Sequence, residues 1–436
     1  MSKVSSFLPS RIFSLMVGIF ILISSAGETK ALDISGGGHL KIRGSSAWRS
    51  GNTIFEPVGT GAFLDGHTEF RANSRVYFLE TLQLETSYEA VLSGGDTRRK
   101  SETLKSLIPA LSSTGNILIE PISDRRRLMD LTKSLDEGKG QILYHRIDRL
   151  SLTYQPPWGA ITIGRQVVTW GNGLLFNPMD LFNPFAPTDI DRDYKVGDDM
   201  VSARLGLGEK GDFQILYIPR RNPGTHRIGG DQYSLGGKVH LPWRELEFDV
   251  MGARHFSDAV IGAGATGYLF DAAWRVDVTW TFLEDNSRNS DYLSLVANLD
   301  YSWVWARKNI YGILEFYFNG LGERSYGSAL SDPDVMERLD RGELFVLGKP
   351  YLVSFIQVEY HPLLNFFFTI INNVSDPSGI LQPRAVWDIQ ENAQVTVGGE
   401  VSYGRKGTEF GGFTLPGTGQ ELEPANRVFL WLTYFF

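Results

Sequence analysis

The chain has 436 residues, no cysteine and a formal net charge of −8. Without Cys it can hold no disulfide framework, thiolate zinc site, iron–sulfur cluster or covalently attached haem, and an acidic balance is the wrong sign for a general nucleic-acid binder. Aromatic residues make up 12% and charged residues 21%, a composition that folds rather than staying disordered.

At the N-terminus, Lys3 and Arg11 precede an uncharged apolar run over 12–23, and small residues follow at Ser24, Ser25, Ala26 and Ala31. A basic start, an apolar stretch of about a dozen residues and a small-residue exit form a secretory signal peptide. The expected cleavage follows Ala26 or Ala31, leaving one domain over 32–436. Removing residues 1–31 takes away Lys3, Arg11 and Lys30 against Glu28, which moves the net charge from −8 to −10. No later stretch reaches the ~20 apolar residues of a membrane-spanning helix.

Beyond Leu32 the apolar period is two. Trp274, Val276, Val278, Trp280 and Phe282 alternate with Arg275, Asp277, Thr279 and Thr281. The same alternation predicts strands over 39–49, 67–78, 82–93, 142–155, 160–169, 200–207, 212–219, 232–241 and 246–255. It continues over 259–269, 274–283, 292–304, 310–320, 351–361, 365–373, 380–389, 394–403 and 427–436. That is eighteen, the even number that a barrel with both termini on one side needs. Connections after even-numbered strands are short, such as 79–81, 156–159 and 391–393, whereas 94–141, 170–199, 321–350 and 404–426 are long. Short periplasmic turns and long outer loops are the asymmetry of such barrels. The expected fold is all-β: a transmembrane, antiparallel, up-and-down β-barrel of about 18 strands.

Alternation assigns a lumen face. Arg71, Arg75, Arg204, Lys238 and His240 point inward on the early strands, and Asp300, Glu315, Glu359, Asp388 and Glu400 on the later ones, with Arg384 as exception. Glu85, Glu89 and Asp249 break the segregation. Opposed walls would orient a charged or dipolar solute; paired lumen charges would only keep the interior wet. In 94–141, Leu128, Leu131 and Leu135 fall on one helical face, predicting a short amphipathic helix beside Arg125, Arg126 and Arg127. Those cations, with Arg98, Arg99 and Lys100, either contact lipopolysaccharide phosphates, attract anions or form a solvated loop face.

The segment 161–200 starts as a strand, is broken by Gly171 and Gly173, and carries Pro178, Pro184 and Pro187 among Leu174, Leu175, Phe176, Met179, Leu181, Phe182 and Phe185. It is too apolar for a loop in water, so it packs on a neighbouring subunit, onto its own barrel or into the mouth. An inward constriction is the expectation, with Phe176, Asp180, Phe182, Asp189, Asp191 and Asp193 at the narrowing. Asp189, Asp191 and Asp193 lack the glycine and bidentate Glu of a calcium loop and read as mouth acids or partners of Arg192 and Lys195. Gly262, Gly264 and Gly267 match G-x-G-x-x-G, but within a strand pattern and with no helix after them they make room in the lumen rather than hold a dinucleotide. No metal or cofactor is expected.

The chain ends VFLWLTYFF, and a last strand finishing in Phe436 resembles the terminal signal of Gram-negative outer-membrane barrels, which implies recognition by their assembly machinery. The run from Gly164 to Phe182, GRQVVTWGNGLLFNPMDLF, is similar to a motif in alginate-export-like and other Gram-negative porins; over some forty residues it implies architecture more than substrate. The expected function is passive diffusion of small polar or charged solutes through the outer membrane, with membrane lipid and lipopolysaccharide as surroundings. A monomer and an oligomer both remain open. The alternatives are a sheath for a partner such as a multihaem cytochrome or export machinery, and an outer-membrane hydrolase.

Overall fold

The structure is a computed structural model that describes residues 33–49, 53, 56–59, 61–107, 123–187, 194–284, 287–416 and 419–436. The expected signal peptide and Asp189, Asp191 and Asp193 lie outside these residues.

In chain order the first elements are β1 (Asp33–Trp48), β2 (Phe63–Leu79), β3 (Leu82–Gly95), α1 (Asp96–Leu107), β4 (Thr132–Glu137), β5 (Gln141–Tyr154) and β6 (Gly159–Gln166). There follow β7 (Asp198–Gly206), β8 (Asp212–Ile218), β9 (Ser234–Trp243), β10 (Leu246–His255), β11 (Asp258–Leu269), β12 (Ala272–Phe282), β13 (Asp291–Trp305) and β14 (Lys308–Asn319). The last are α2 (Tyr326–Ala329), α3 (Pro333–Arg341), β15 (Pro350–His361), β16 (Leu364–Asn373), β17 (Ser378–Gln390), β18 (Ala393–Tyr403), β19 (Phe413–Thr414), β20 (Glu421–Leu422) and β21 (Asn426–Phe435).

Eighteen strands form the wall, each antiparallel to its neighbours, and β21 pairs with both β18 and β1 to close it. Closure leaves no strand edge for lipid to meet, which the hydrocarbon layer demands because it offers no hydrogen bonds. At the seam the Gly38 N–H donates to the Phe436 carbonyl at 2.8 Å, and the Phe436 N–H donates back at 3.1 Å. A Cβ on Gly38 would stand 2.1 Å from the Arg71 carbonyl oxygen, so glycine is required there. β1 thereby starts six residues before the expected 39, because its Ser-Gly-Gly-Gly start has no alternation to read.

The outer surface carries an apolar belt (Leu40, Ile42, Leu152, Ile163, Val250, Ile261, Leu314, Leu430 and Leu432 among its exposed residues). Near the short turns it is edged by Tyr154, Trp158, Trp243, Trp303, Trp305, Trp387 and Tyr434, the aromatic girdle of a membrane-spanning barrel. The turns at this end run from two to five residues. In one of the two-residue turns, Ala306 and Arg307 have φ of 50° and 63°, the two left-handed residues of a type I′ hairpin.

The segment expected to form a helix around Leu128, Leu131 and Leu135 does not. It runs through a turn into β4, and the helix of this connection among the described residues is α1 instead. The reason is an open edge: β6 pairs with β5 only from Leu150 to Tyr154, leaving the outer part of β5 uncovered, and β4 pairs there from Thr132–Arg146 to Glu137–Ile142. Backbone groups left on such an edge need partners, and this demand outweighs three leucines at helical spacing. Two of the three neighbouring arginines bind within the chain. Arg126 pairs with Asp340 at 2.5 Å and Arg127 with Asp124 at 2.8 Å.

Candidate functional site: a loop across the lumen

The connection from β6 to β7 enters the barrel. Gly171 takes a φ of 83°, the left-handed conformation that glycine adopts without strain, and turns the chain inward. Trp170 is 1% exposed; its indole N–H donates to Gln214 on β8 at 3.0 Å, and its ring meets Phe182 edge-on at 5.0 Å. Both rings sit with Met179, Met200, Leu216, Ile218, Met251 and Val260 in one buried cluster. Phe176 stacks on Tyr317 of β14 at 4.2 Å, in a second cluster with Tyr351, Val353 and Phe410. The apolar core of this protein therefore lies inside the outer half of its lumen.

Between the two clusters the loop is held by acids. Asn172 and Gly173 donate their backbone N–H groups to Asp277 of β12, and Leu174, Leu175 and Phe176 donate theirs to Glu315 of β14 at 3.0, 3.2 and 2.7 Å. The Asn172 amide also donates to Asp277 at 3.0 Å and to Asp249 at 3.2 Å. Gly264 lies opposite Asp277 across the β11–β12 pair, and a Cβ there would stand 2.3 Å from the Asp277 Oδ1 and 2.9 Å from the Asn172 Nδ2. The glycine of the discarded dinucleotide pattern thus makes room for the docked loop.

The returning limb crosses to the opposite wall. Tyr194 donates to Glu69 of β2 at 2.8 Å and lies under Arg71, whose guanidinium carbon is 3.6 Å from the ring centre. Arg149 of β5 donates to the Lys195 carbonyl at 2.6 Å, and the Gly197 N–H donates to Asp148 at 3.2 Å. Within the loop Asp180 pairs with Lys195; burial pushes the Asp180 carboxyl up to about 7 against the pull of Lys195.

The lumen positions named from the sequence serve different ends. Arg71 pairs with Glu89 and Asp148, which also hold Arg146 and Arg149. Arg75 faces Glu85 at 3.3 Å, Arg204 pairs with Asp212 at 2.8 Å, and Lys238 and His240 share Asp249 at 3.1 and 3.2 Å. Of the acids, Asp300 pairs with Arg275, Glu359 accepts from Asn309, Asp388 from Gln394, and Glu400 from Arg427 and Gln382. Glu315 is 0% exposed beneath the loop. Arg71 and Arg75, with Arg384, border a cavity of about 830 Å³ beside Tyr194. Lys41, Arg149, Trp431 and Phe435 also line it, and its one carboxylate is Glu85. Lys41 and Arg149 were not singled out: Lys41 lies within the expected strand 39–49, on the face opposite Leu40 and Ile42, and so was legible, whereas the parity of Arg149 is reversed by a bulge opposite Ser87 and Tyr88.

Between the loop and the connection that carries α3 lies a second cavity, of about 330 Å³, bordered by Phe176, Asp180 and Phe185 on one side and by Arg338, Glu343 and Phe345 on the other. Arg338 pairs with Asp258 at the outer end of the barrel, and Glu343 with His255 at 2.9 Å. Burial alone would push the Glu343 carboxyl up, but His255, Arg341 and Arg338 hold it down to about 2. A carboxyl depressed on folding contributes stability above its unfolded value and loses it as pH falls through its folded value. Acidification from about pH 4.5 to about 2 is therefore expected to release this cap, at a cost on the order of 3 kcal/mol. Peptic cleavage beside Leu344 and Phe345, followed as pH is lowered from about 4.5 to about 2, checks it; resistance that does not fall with pH would remove Glu343 as the fastening.

His255 also contacts Ser234, with Oγ to Nδ1 at 2.9 Å, completing a Ser–His–Glu chain. It is not arranged for nucleophilic attack. Ser234 is 0% exposed, its oxygen already accepts from Arg220 at 2.5 Å, and Phe182 and Phe256 pack on the imidazole. The chain ties the cap to the wall.

A closed barrel with an apolar outer belt and a loop folded into a polar lumen is the architecture of outer-membrane porins. No family model and no curated protein matches the chain. Solved structures do: it is similar to OccAB1 of Acinetobacter baumannii, with 9% identity and a TM-score of 0.52 over 93% of this chain and 96% of that one. It is also similar to a BenF-like porin from Pseudomonas fluorescens Pf-5, with 8% identity and a TM-score of 0.50 over 93% and 98%. At such identity the likeness shows the fold.

Proposed function

We propose that the protein is a passive outer-membrane channel for small hydrophilic solutes, constricted by the β6–β7 loop and favouring anions. The observation that carries this reading is the lumen cavity beside Tyr194: Lys41, Arg71, Arg75, Arg149 and Arg384 border it, whereas of the acids that pair with them only Glu85 does, Glu89 and Asp148 being buried in the wall. Like charges on the wall of a narrow aqueous path attract counter-ions and repel co-ions. The loop crosses the space that a protein partner would need, which counts against a sheath, and the buried Ser234 counts against a hydrolase. Phe436 at the seam is the signal that the barrel-assembly machinery would read, and lipopolysaccharide would surround the outer rim.

In a planar bilayer under a salt gradient, the refolded barrel is expected to give discrete current steps with an anion-favouring reversal potential. Lys41→Ala with Arg384→Ala should reduce that preference several-fold while leaving the fold intact. A cation-favouring potential, or no current from a folded barrel, would refute the proposal.

A further inference from the structure

Asp277 and Glu315 are both 0% exposed, and burying a carboxylate is costly unless it is well paired. Their partners are five consecutive backbone N–H groups, residues 172–176, with Asn172 and Asn298 side chains completing the set. A barrel wall needs no acid at these positions for its own pairing, since the β11–β12, β12–β13 and β13–β14 ladders run through them without a break. What the acids bind is the loop. Conversely, the loop can aim five successive N–H groups at the wall only because Gly171 and Gly173 bend it, and neither has space for a Cβ: the Asn177 Oδ1 would be 2.2 Å away and the Phe176 carbonyl oxygen 1.9 Å. Successive N–H groups turned to one side make an anion-binding concavity; here the wall supplies the anions.

We infer that Asp277 and Glu315 form a two-point latch that holds residues 170–176 across the lumen and so sets the bore of the channel, an inference that rests on the channel reading above. They are positioning residues and act on the solute only through the loop. The amides of 172–176 are protected although they belong to no strand or helix, and the bore opens when the latch is cut. The basic cavity lies on the other wall, so ion preference keeps its sign.

The test compares the refolded full-length barrel with Asp277→Asn/Glu315→Gln, and with Gly264→Val, which leaves both charges in place but thrusts side-chain atoms between Asp277 and Asn172. Hydrogen exchange is followed over residues 172–176, and single-channel conductance in a planar bilayer. Expected are slow exchange in the native barrel, at least about tenfold faster exchange in both variants, as loss of one charge-assisted hydrogen bond already gives, and a larger, noisier conductance with reversal potential of unchanged sign. Fast exchange in the native barrel, unchanged exchange in the variants, or faster exchange with unchanged conductance overturns the latch. A native barrel that passes no current refutes the channel reading and with it the bore; the exchange data then still decide whether the carboxylates hold the loop.

Discussion

Replacing Arg165 by alanine is expected to destabilise the barrel by about 3–5 kcal/mol, the range found when one member of a buried ion cluster is removed. Arg165 is 1% exposed and uses its whole guanidinium. Nε donates to Asp199 at 2.8 Å; one terminal nitrogen meets Asp124 at 3.1 Å and the Ile147 carbonyl at 3.3 Å; the other meets the Met129 carbonyl at 2.7 Å and Asp199 at 3.1 Å. Truncation leaves two buried carboxylates and two carbonyls facing a void, and it leaves 124–131 held by its backbone bonds to Asp199, Ile147 and Arg221. Lysine should not rescue, because one ammonium cannot reproduce a planar fork of five donors. Equilibrium urea unfolding in lipid vesicles measures the loss. A change below about 1 kcal/mol, the level of an exposed pair, would mean that water reaches the cluster and that Arg165 is not its hub.

Trp170→Ala should be nearly as severe, at about 3–5 kcal/mol for emptying a large aromatic site, and it should also change the channel. The indole fills the gap between Phe182 and the wall, where Gly236 packs against it so closely that a Cβ would be 3.0 Å away, and this glycine has no side chain to fill the space the ring would leave. Its removal also leaves the Gln214 acceptor without its donor. The loop then keeps its carboxylate latch at 172–176 but loses its first seat. Conductance fluctuations that grow while the mean conductance rises only modestly are the expected signature, recorded in the bilayer beside the unfolding curve. Wild-type noise together with a full loss of stability would separate the seat from the bore.

The architecture was legible from alternation alone. All eighteen wall strands fall within a few residues of the predicted ranges, because lipid outside and water inside impose a period of two on every strand. The exceptions have local causes: β1 opens with Ser-Gly-Gly-Gly, and β4 answers an unpaired edge on β5 that no pattern in 128–135 announces. The inward loop was also readable, since an apolar, proline-rich connection cannot stay in water. The duties of single lumen charges were not. Glu315 and Glu400 look alike in the alternation, yet one is sealed under the loop by three backbone N–H groups and the other pairs with Arg427 and Gln382.

Sequence by itself determined the number of strands, their parity except where a bulge shifts it, as at Arg149 on β5, and the kind of loop that bridges β6 and β7, since solvent on either side of a strand acts on each residue separately. Only the tertiary structure decided which charges meet: that Arg165 gathers Asp124 and Asp199, that Asp277 and Glu315 receive the loop, and that five cations border one cavity. These partners lie tens to more than a hundred residues apart in the chain. Their encounter depends on strand stagger and on the path of the loop, which are properties of the closed barrel and of no segment within it.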